Sequence, residues 1–157
     1  VNHSDLTKSL PILIADDDAD DRLLLEMAFA ERKIPNPVVF FKDGCEITDY
    51  LSVKDTFGTE ATHLPGLLLL DVNMPRKNGI QVLREIKAHP YWKHICVCMF
   101  STARTDHHVS EAQQLGADNY VVKPDTYEDL LGIVQTIYDN WQHSAGVAEP
   151  LRTMNKK

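Results

Sequence analysis

Short apolar runs alternate along this chain with longer segments in which apolar positions recur every three or four residues. That is the pattern of parallel strands joined by helices that cover both faces of one sheet. The runs occupy residues 10–15, 38–41, 67–70, 95–100 and 120–122. Between them, Leu23, Leu24, Met27, Ala28 and Ala30 predict the apolar stripe of a first helix, which Pro35-Asn36-Pro37 stops. Asp43-Gly44 predicts a turn before a short second helix, residues 45–52, and a polar loop over 53–63. Ile80, Val82, Leu83 and Ile86 predict a third helix ending before Pro90. Val109, Ala112 and Leu115 predict a fourth that Gly116 terminates, and Leu130, Val134, Ile137 and Trp141 predict a fifth. The expected fold is α/β, a doubly wound five-stranded parallel sheet in flavodoxin-like order 2-1-3-4-5. One domain is expected over residues 8–143, with flexible termini at 1–7 and 144–157 and no effector domain after Trp141.

The run Leu67-Leu68-Leu69-Leu70 changes this outline into a functional one, because it delivers Asp71 to the carboxyl end of a fully buried strand. In open parallel sheets that edge is where ligands bind. Asp71 is followed by the turn Asn73-Met74-Pro75 and by Gly79. The first strand leads at the same edge into Asp16, Asp17, Asp18, Asp20 and Asp21, five carboxylates in six positions. Helix capping accounts for one or two of them and is as good a reading as any for Asp18, Asp20 and Asp21. It serves poorly for Asp16 and Asp17, which abut the strand end. If strands one and three are neighbours, Asp16, Asp17 and Asp71 face one another, and like charges so placed destabilise one another unless a cation or hydrogen-bond donors offset them. A hard divalent ion such as Mg²⁺ suits them. An EF-hand loop is excluded because the glycine and terminal Glu are missing, and a phosphate-cradling loop would offer amide donors rather than anions.

Two further strand ends add complementary groups. Ser101-Thr102 follows the fourth strand and Lys123-Pro124 the fifth. A carboxylate, a hydroxyl, a lysine and a metal site at one edge can hold a phosphoryl group on Asp71.

The net charge of −7 excludes the basic stripe of a nucleic-acid surface. No apolar stretch reaches the roughly 20 residues that span a bilayer, so a cytoplasmic protein is expected. Cys45, Cys96 and Cys98 are an odd count with no metal-type pairing, and Cys96 and Cys98 lie within an apolar run and read as small core residues rather than ligands.

The set Asp16-Asp17, Asp71, Ser101 and Lys123-Pro124, with Asn73-Met74-Pro75 and Gly79, resembles the receiver domain of two-component response regulators over about residues 10–143. The architecture is similar to that of the single-domain bacterial chemotaxis regulator. The triple Asp start and the extended loop before Pro65 resemble the small regulators that partner bacteriophytochromes. The resemblance implies that Asp71 accepts a phosphoryl group from the phosphohistidine of a sensor histidine kinase. It implies Mg²⁺ held by Asp17, Asp71 and the backbone carbonyl of Asn73, with Asp16 acting through water. Lys123 and Ser101 would bind phosphoryl oxygens, Thr102 would be a neighbour, and Ser101 and Tyr120 would form the switch. Output would pass by contact to a downstream protein target, with neither nucleic acid nor membrane involved and a homodimer left open. The chain would then be no enzyme beyond self-phosphotransfer and slow autodephosphorylation.

Two departures stand out: Ser101 occupies a position where threonine is commoner, and Asp125 one where an aromatic or aliphatic residue is usual. Two other readings remain. One is an aspartate-nucleophile phosphohydrolase, whose D-x-D motif is lacking at Asp71-Val72-Asn73. The other is a pseudo-receiver that only scaffolds partners.

Overall fold

The computed structural model describes residues 9–56, 65–102, 105–144 and 152–154. The elements in chain order are β1 Ile12–Ala15, α1 Ala19–Glu31, β2 Val38–Phe41, α2 Gly44–Thr56, β3 Leu67–Leu70, α3 Gly79–Ala88, β4 Cys96–Ser101, α4 Asp106–Leu115, β5 Asn119–Val122, α5 Tyr127–Ser144 and β6 Arg152–Met154. A 3₁₀ turn, Trp92–His94, precedes β4. The sheet runs β2-β1-β3-β4-β5 with every pairing parallel, as expected, and β6 lies outside β5.

Side chains along β3 alternate between the sheet's two faces, and both are sealed. Leu68 and Leu70 join Val82, Leu83 and Ile86 of α3, whereas Leu67 and Leu69 join Leu25 and Phe29 of α1 and Val134 and Trp141 of α5. All four leucines are at most 1% exposed. This is why the strand reads as an unbroken apolar run rather than an alternating one. The same double cover fixes Asp71 at a rigid strand end, since a slip of one residue would exchange the two apolar sets.

The structure corrects three expectations. The buried face of α1 is Leu25, Ala28 and Phe29, while Leu23, Leu24 and Met27 are exposed at 55%, 39% and 48% and Ala30 faces solvent. Apolar residues are spread around this helix, so spacing alone does not choose its inner face; the packing on α5 does. The second helix runs on to Thr56, taking in the start of the predicted loop, of which residues 57–63 lie outside those described. Finally, Arg152–Met154, within the segment expected to be unstructured, pairs with Asn119–Val121. β5 would otherwise present an open ladder of amides and carbonyls, and three residues are too few to show a strand period. The expected flexible segment 1–7 lies outside the described residues.

Candidate functional site

The sheet hydrogen bonds carry each strand to its functional residue. The Asp16 amide donates to the Phe41 carbonyl at 3.0 Å, and the Asp71 amide to the Ala15 carbonyl at 3.0 Å. Beyond Asp16 the chain turns into α1, whose N-cap is Asp18: its Oδ1 accepts from the amides of Asp20 at 2.8 Å and Asp21 at 3.2 Å. The capping reading therefore fits Asp18. Asp16 Oδ1 accepts from the Asp18 amide at 3.0 Å, and the Arg22 guanidinium donates to the Asp16 carbonyl at 2.7 Å.

The turn after β3 folds back on its own strand end. The Gly79 amide donates to the Val72 carbonyl at 2.9 Å, and a Cβ at position 79 would lie 2.0 Å from the Asp71 carbonyl oxygen. Only glycine allows this approach. Asn78 and Gln81 form a reciprocal capping box that starts α3 directly beyond the turn. From the side, Arg76 reaches Asp43 at 3.3 Å and Lys77 donates to Thr48 Oγ1 at 3.0 Å, tying the turn to α2. Asp71 Oδ1 accepts from the Asn73 amide at 3.3 Å.

Lys123, anchored by its amide on the Ser101 carbonyl at 3.0 Å, gathers the acids. Its Nζ lies 2.7 Å from Asp16 Oδ2, 2.8 Å from Asp21 Oδ2 and 2.9 Å from Asp71 Oδ2, and 6.0 Å from the Phe100 ring centroid. Burial opposes its charge, but hydrogen bonds to the three carboxylates outweigh this and hold its pKa above the ordinary lysine value. Asp16 shows the reverse balance: burial pushes it up to about 6 despite the lowering pull of Lys123 and the Asp18 amide.

Asp16, Asp17 and Asp71 each bring a carboxylate oxygen within 4.8 Å of the others. Asp16 Oδ2 is buried and meets the Lys123 ammonium at 2.7 Å. Lys123 meets three carboxylates, Asp16, Asp21 and Asp71, and Asp17 adds another to the group with Asp16 and Asp71, so the donor set is hard, oxygen-only and rich in negative charge. It fits a divalent cation of the Mg²⁺ type.

The structure brings together Asp16, Asp17, Asp71 and Lys123 from the predicted set. Asn73 is exposed on the turn, and Thr102 is exposed just beyond β4. Ser101, fully buried, is in hydrogen-bond contact with the hydroxyl of Tyr120, itself fully buried on the neighbouring strand. Burial and the Asp71 charge raise the Tyr120 pKa, and the Ser101 hydroxyl works against them. Sequence reasoning missed the place of Asp21, whose one signal was its spacing of four from Asp17, one helical turn further on. It also missed the Asp43 and Thr48 braces. Burial pushes the Cys96 thiol up to about 12 and the Cys98 thiol well above its ordinary value, which keeps both protonated.

Known proteins share this fold and sequence pattern at the level of the whole domain. The family model for the response regulator receiver domain matches residues 12–135. Response regulator Rcp1 of Synechocystis sp. is 32% identical over 130 residues, covering 83% of this chain and 86% of that protein. The crystal structure of the phosphorylated cyanobacterial phytochrome response regulator RcpA superposes with a TM-score of 0.77 at 31% identity, over 87% of this chain and 96% of that one. The Mn²⁺-bound form of Rcp1 gives 0.75 at 28% identity, over 86% and 96%. The doubly wound sheet is thus matched in both sequence and structure, and the chain belongs to the response regulator receiver domain family.

Proposed function

We propose that the chain is a phosphorylation-controlled switch in which Asp71 takes a phosphoryl group from the phosphohistidine of a sensor histidine kinase. One observation carries the reading: Lys123 bridges Asp71 to Asp16 at a sheet edge where Asp16, Asp17 and Asp71 also converge within 4.8 Å.

In the transfer, an Asp71 carboxylate oxygen forms a bond to phosphorus while the P–N bond to the kinase imidazole breaks, its electron pair leaving with the imidazole. Asp71 is positioned for this by the β3 ladder and the Asn73 amide, and its negative charge is offset by Lys123. Asp17, Asp71 and the Asn73 carbonyl would hold Mg²⁺, with Asp16 acting through water. The ion, when bound, supplies positive charge to the phosphoryl oxygens. Lys123 would pair with one of these oxygens and Ser101 would donate to another. Turning Ser101 would carry its contact with Tyr120 along, passing the event from β4 to β5 and the surface around it. Downstream output would be by protein contact.

A bacteriophytochrome-type kinase is the proposed phosphodonor, supported by similarity to RcpA, which its structure describes as a phytochrome response regulator. The test is transfer of labelled phosphoryl from such a kinase. Stoichiometric, Mg²⁺-dependent labelling of the native chain and none of Asp71→Asn is expected; undiminished labelling of the variant refutes the assignment.

A further inference from the structure

Lys123 has a partner that the proposed phosphotransfer does not use. Asp21 Oδ2 accepts from its ammonium at 2.8 Å. The backbone of Asp21 is fixed in the first turn of α1 by the Asp18 cap, so the carboxylate is held where it reaches Lys123. It also forms part of the wall of a groove between α1 and the start of α5, lined by Leu24, Phe100, Pro124 and Tyr127. Its side chain is 33% exposed, against 1% for Asp16 and 6% for Asp71.

We infer that Asp21 is a positioning residue that competes with the phosphoryl group for Lys123 and so sets how tightly, and for how long, the phosphoryl group is held. The inference rests on Asp71 being the phosphoacceptor. A lysine ammonium has three N–H bonds. Once Asp71 carries the phosphoryl group, and Asp16 and Asp17 serve the cation, Asp21 alone of the lysine's three carboxylates has no second task. It keeps one N–H of Lys123 and places a negative charge beside the incoming anion. Both effects weaken the lysine's grip on the phosphoryl oxygens. The opposing effect, that Asp21 helps to aim Lys123 beforehand, is small, because Asp71 at 2.9 Å and the Ser101 carbonyl, which holds the Lys123 amide, already aim it. A charge-assisted hydrogen bond at a partly exposed position corresponds to a change of roughly tenfold in an equilibrium constant.

The experiment titrates the full chain with beryllofluoride at fixed Mg²⁺, read by ¹⁹F NMR, and follows decay of the acyl phosphate formed from acetyl phosphate. Asp21→Asn should bind beryllofluoride roughly tenfold more tightly and lengthen the acyl-phosphate lifetime by a similar factor. Its affinity for Mg²⁺ alone should stay within about threefold of native, since a single charge outside the ligand set is screened. Asp21→Glu, which keeps the carboxylate, should return to native values. Asp20→Asn, an equal change of charge on a residue without a Lys123 contact, should behave as native. Unchanged or weaker binding by Asp21→Asn overturns the inference, as does an equal gain in Asp20→Asn. A native chain that takes up no beryllofluoride overturns the phosphorylation reading itself, and the inference with it.

Discussion

Lys123 Nζ stands 2.9 Å from Asp71 Oδ2 although the two residues end strands β5 and β3, with β4 between them. Neighbouring strands lie about 4.8 Å apart, so the lysine crosses roughly 10 Å of sheet edge to reach its partner. Its ammonium lies 6.0 Å from the centre of the Phe100 ring near the end of β4, where β1 and β3 have brought Asp16 and Asp71 together. A single side chain thus ties the ends of three strands.

Lys123→Met tests that tie. The variant keeps most of the length and apolar packing but leaves Asp16 and Asp71 buried without a cation. Removing one member of a buried charged set costs about 3–5 kcal/mol. Chemical denaturation without divalent ions should show a loss of this size, largely recovered at saturating Mg²⁺, because the ion replaces the missing charge. Mg²⁺ affinity should be retained or increased, while the spectroscopic response to an acyl-phosphate donor should be lost. A variant as stable as native without Mg²⁺ would show that the carboxylates do not depend on the lysine.

Asp16 supplies a pH dependence of unusual sign. Burial raises its pKa from 3.8 to about 6, so the folded chain binds this proton more tightly than the unfolded chain. Below pH 4 both states are protonated and Asp16 contributes nothing. Between about pH 4 and 6 the unfolded state ionises first and stability falls as pH rises; above 6 the full cost remains. Asp16→Asn removes this cost. In the absence of divalent ions it should be more stable than native at pH 7.5 by roughly 1–3 kcal/mol, the difference shrinking to nothing toward pH 4. Denaturation curves for both proteins across that range give the comparison, and a variant less stable than native at pH 7.5 contradicts the assigned balance.

The fold and the site were legible to different depths, for physical reasons that particular residues make plain. Strand order and the place of Asp71 could be read because a doubly covered strand must be apolar throughout, and Leu67–Leu70 is. The inner face of α1 could not, because Leu23, Leu24, Leu25, Met27 and Phe29 spread around the helix, and only packing against α5 selects Leu25 and Phe29. Asp16 and Asp17 stood out by abutting a strand. Asp21 did not, because an acidic residue in a first helical turn already has a sufficient reason to be there. The braces Asp43 and Thr48 are distant in sequence from the turn they hold, and nothing local marks them.

Gly79 is the tightest point of that turn. A methyl group there would sit 2.0 Å from the Asp71 carbonyl oxygen, and backbone cannot move aside as a flexible side chain can. Gly79→Ala should therefore lower stability by about 3 kcal/mol. It should also weaken Mg²⁺ binding, since the displaced segment carries Asn73 away from Asp71. Calorimetric titration with Mg²⁺ on the folded variant separates the two effects: native affinity together with reduced stability would mean that the turn's geometry matters to the fold alone.

Ser101 and Tyr120 offer a test that stays away from the acids. The serine hydroxyl opposes the rise that burial and the Asp71 charge impose on the tyrosine pKa. Ser101→Ala removes it, so Tyr120 should ionise at still higher pH, visible as a delayed component in the ultraviolet titration of the folded chain. A neutral hydrogen bond contributes about 1 kcal/mol, so the stability loss should be no larger than that. The informative outcome lies in the switch. Ser101→Ala should still take up phosphoryl at Asp71, because the acceptor and Lys123 are untouched, yet Tyr120 should lose the environmental change expected of the native chain on phosphorylation. Introducing threonine instead restores the hydroxyl with a methyl that restricts its rotation, and should restore the response. If Tyr120 responds equally in the alanine variant, the hydroxyl pair does not carry the signal from β4 to β5.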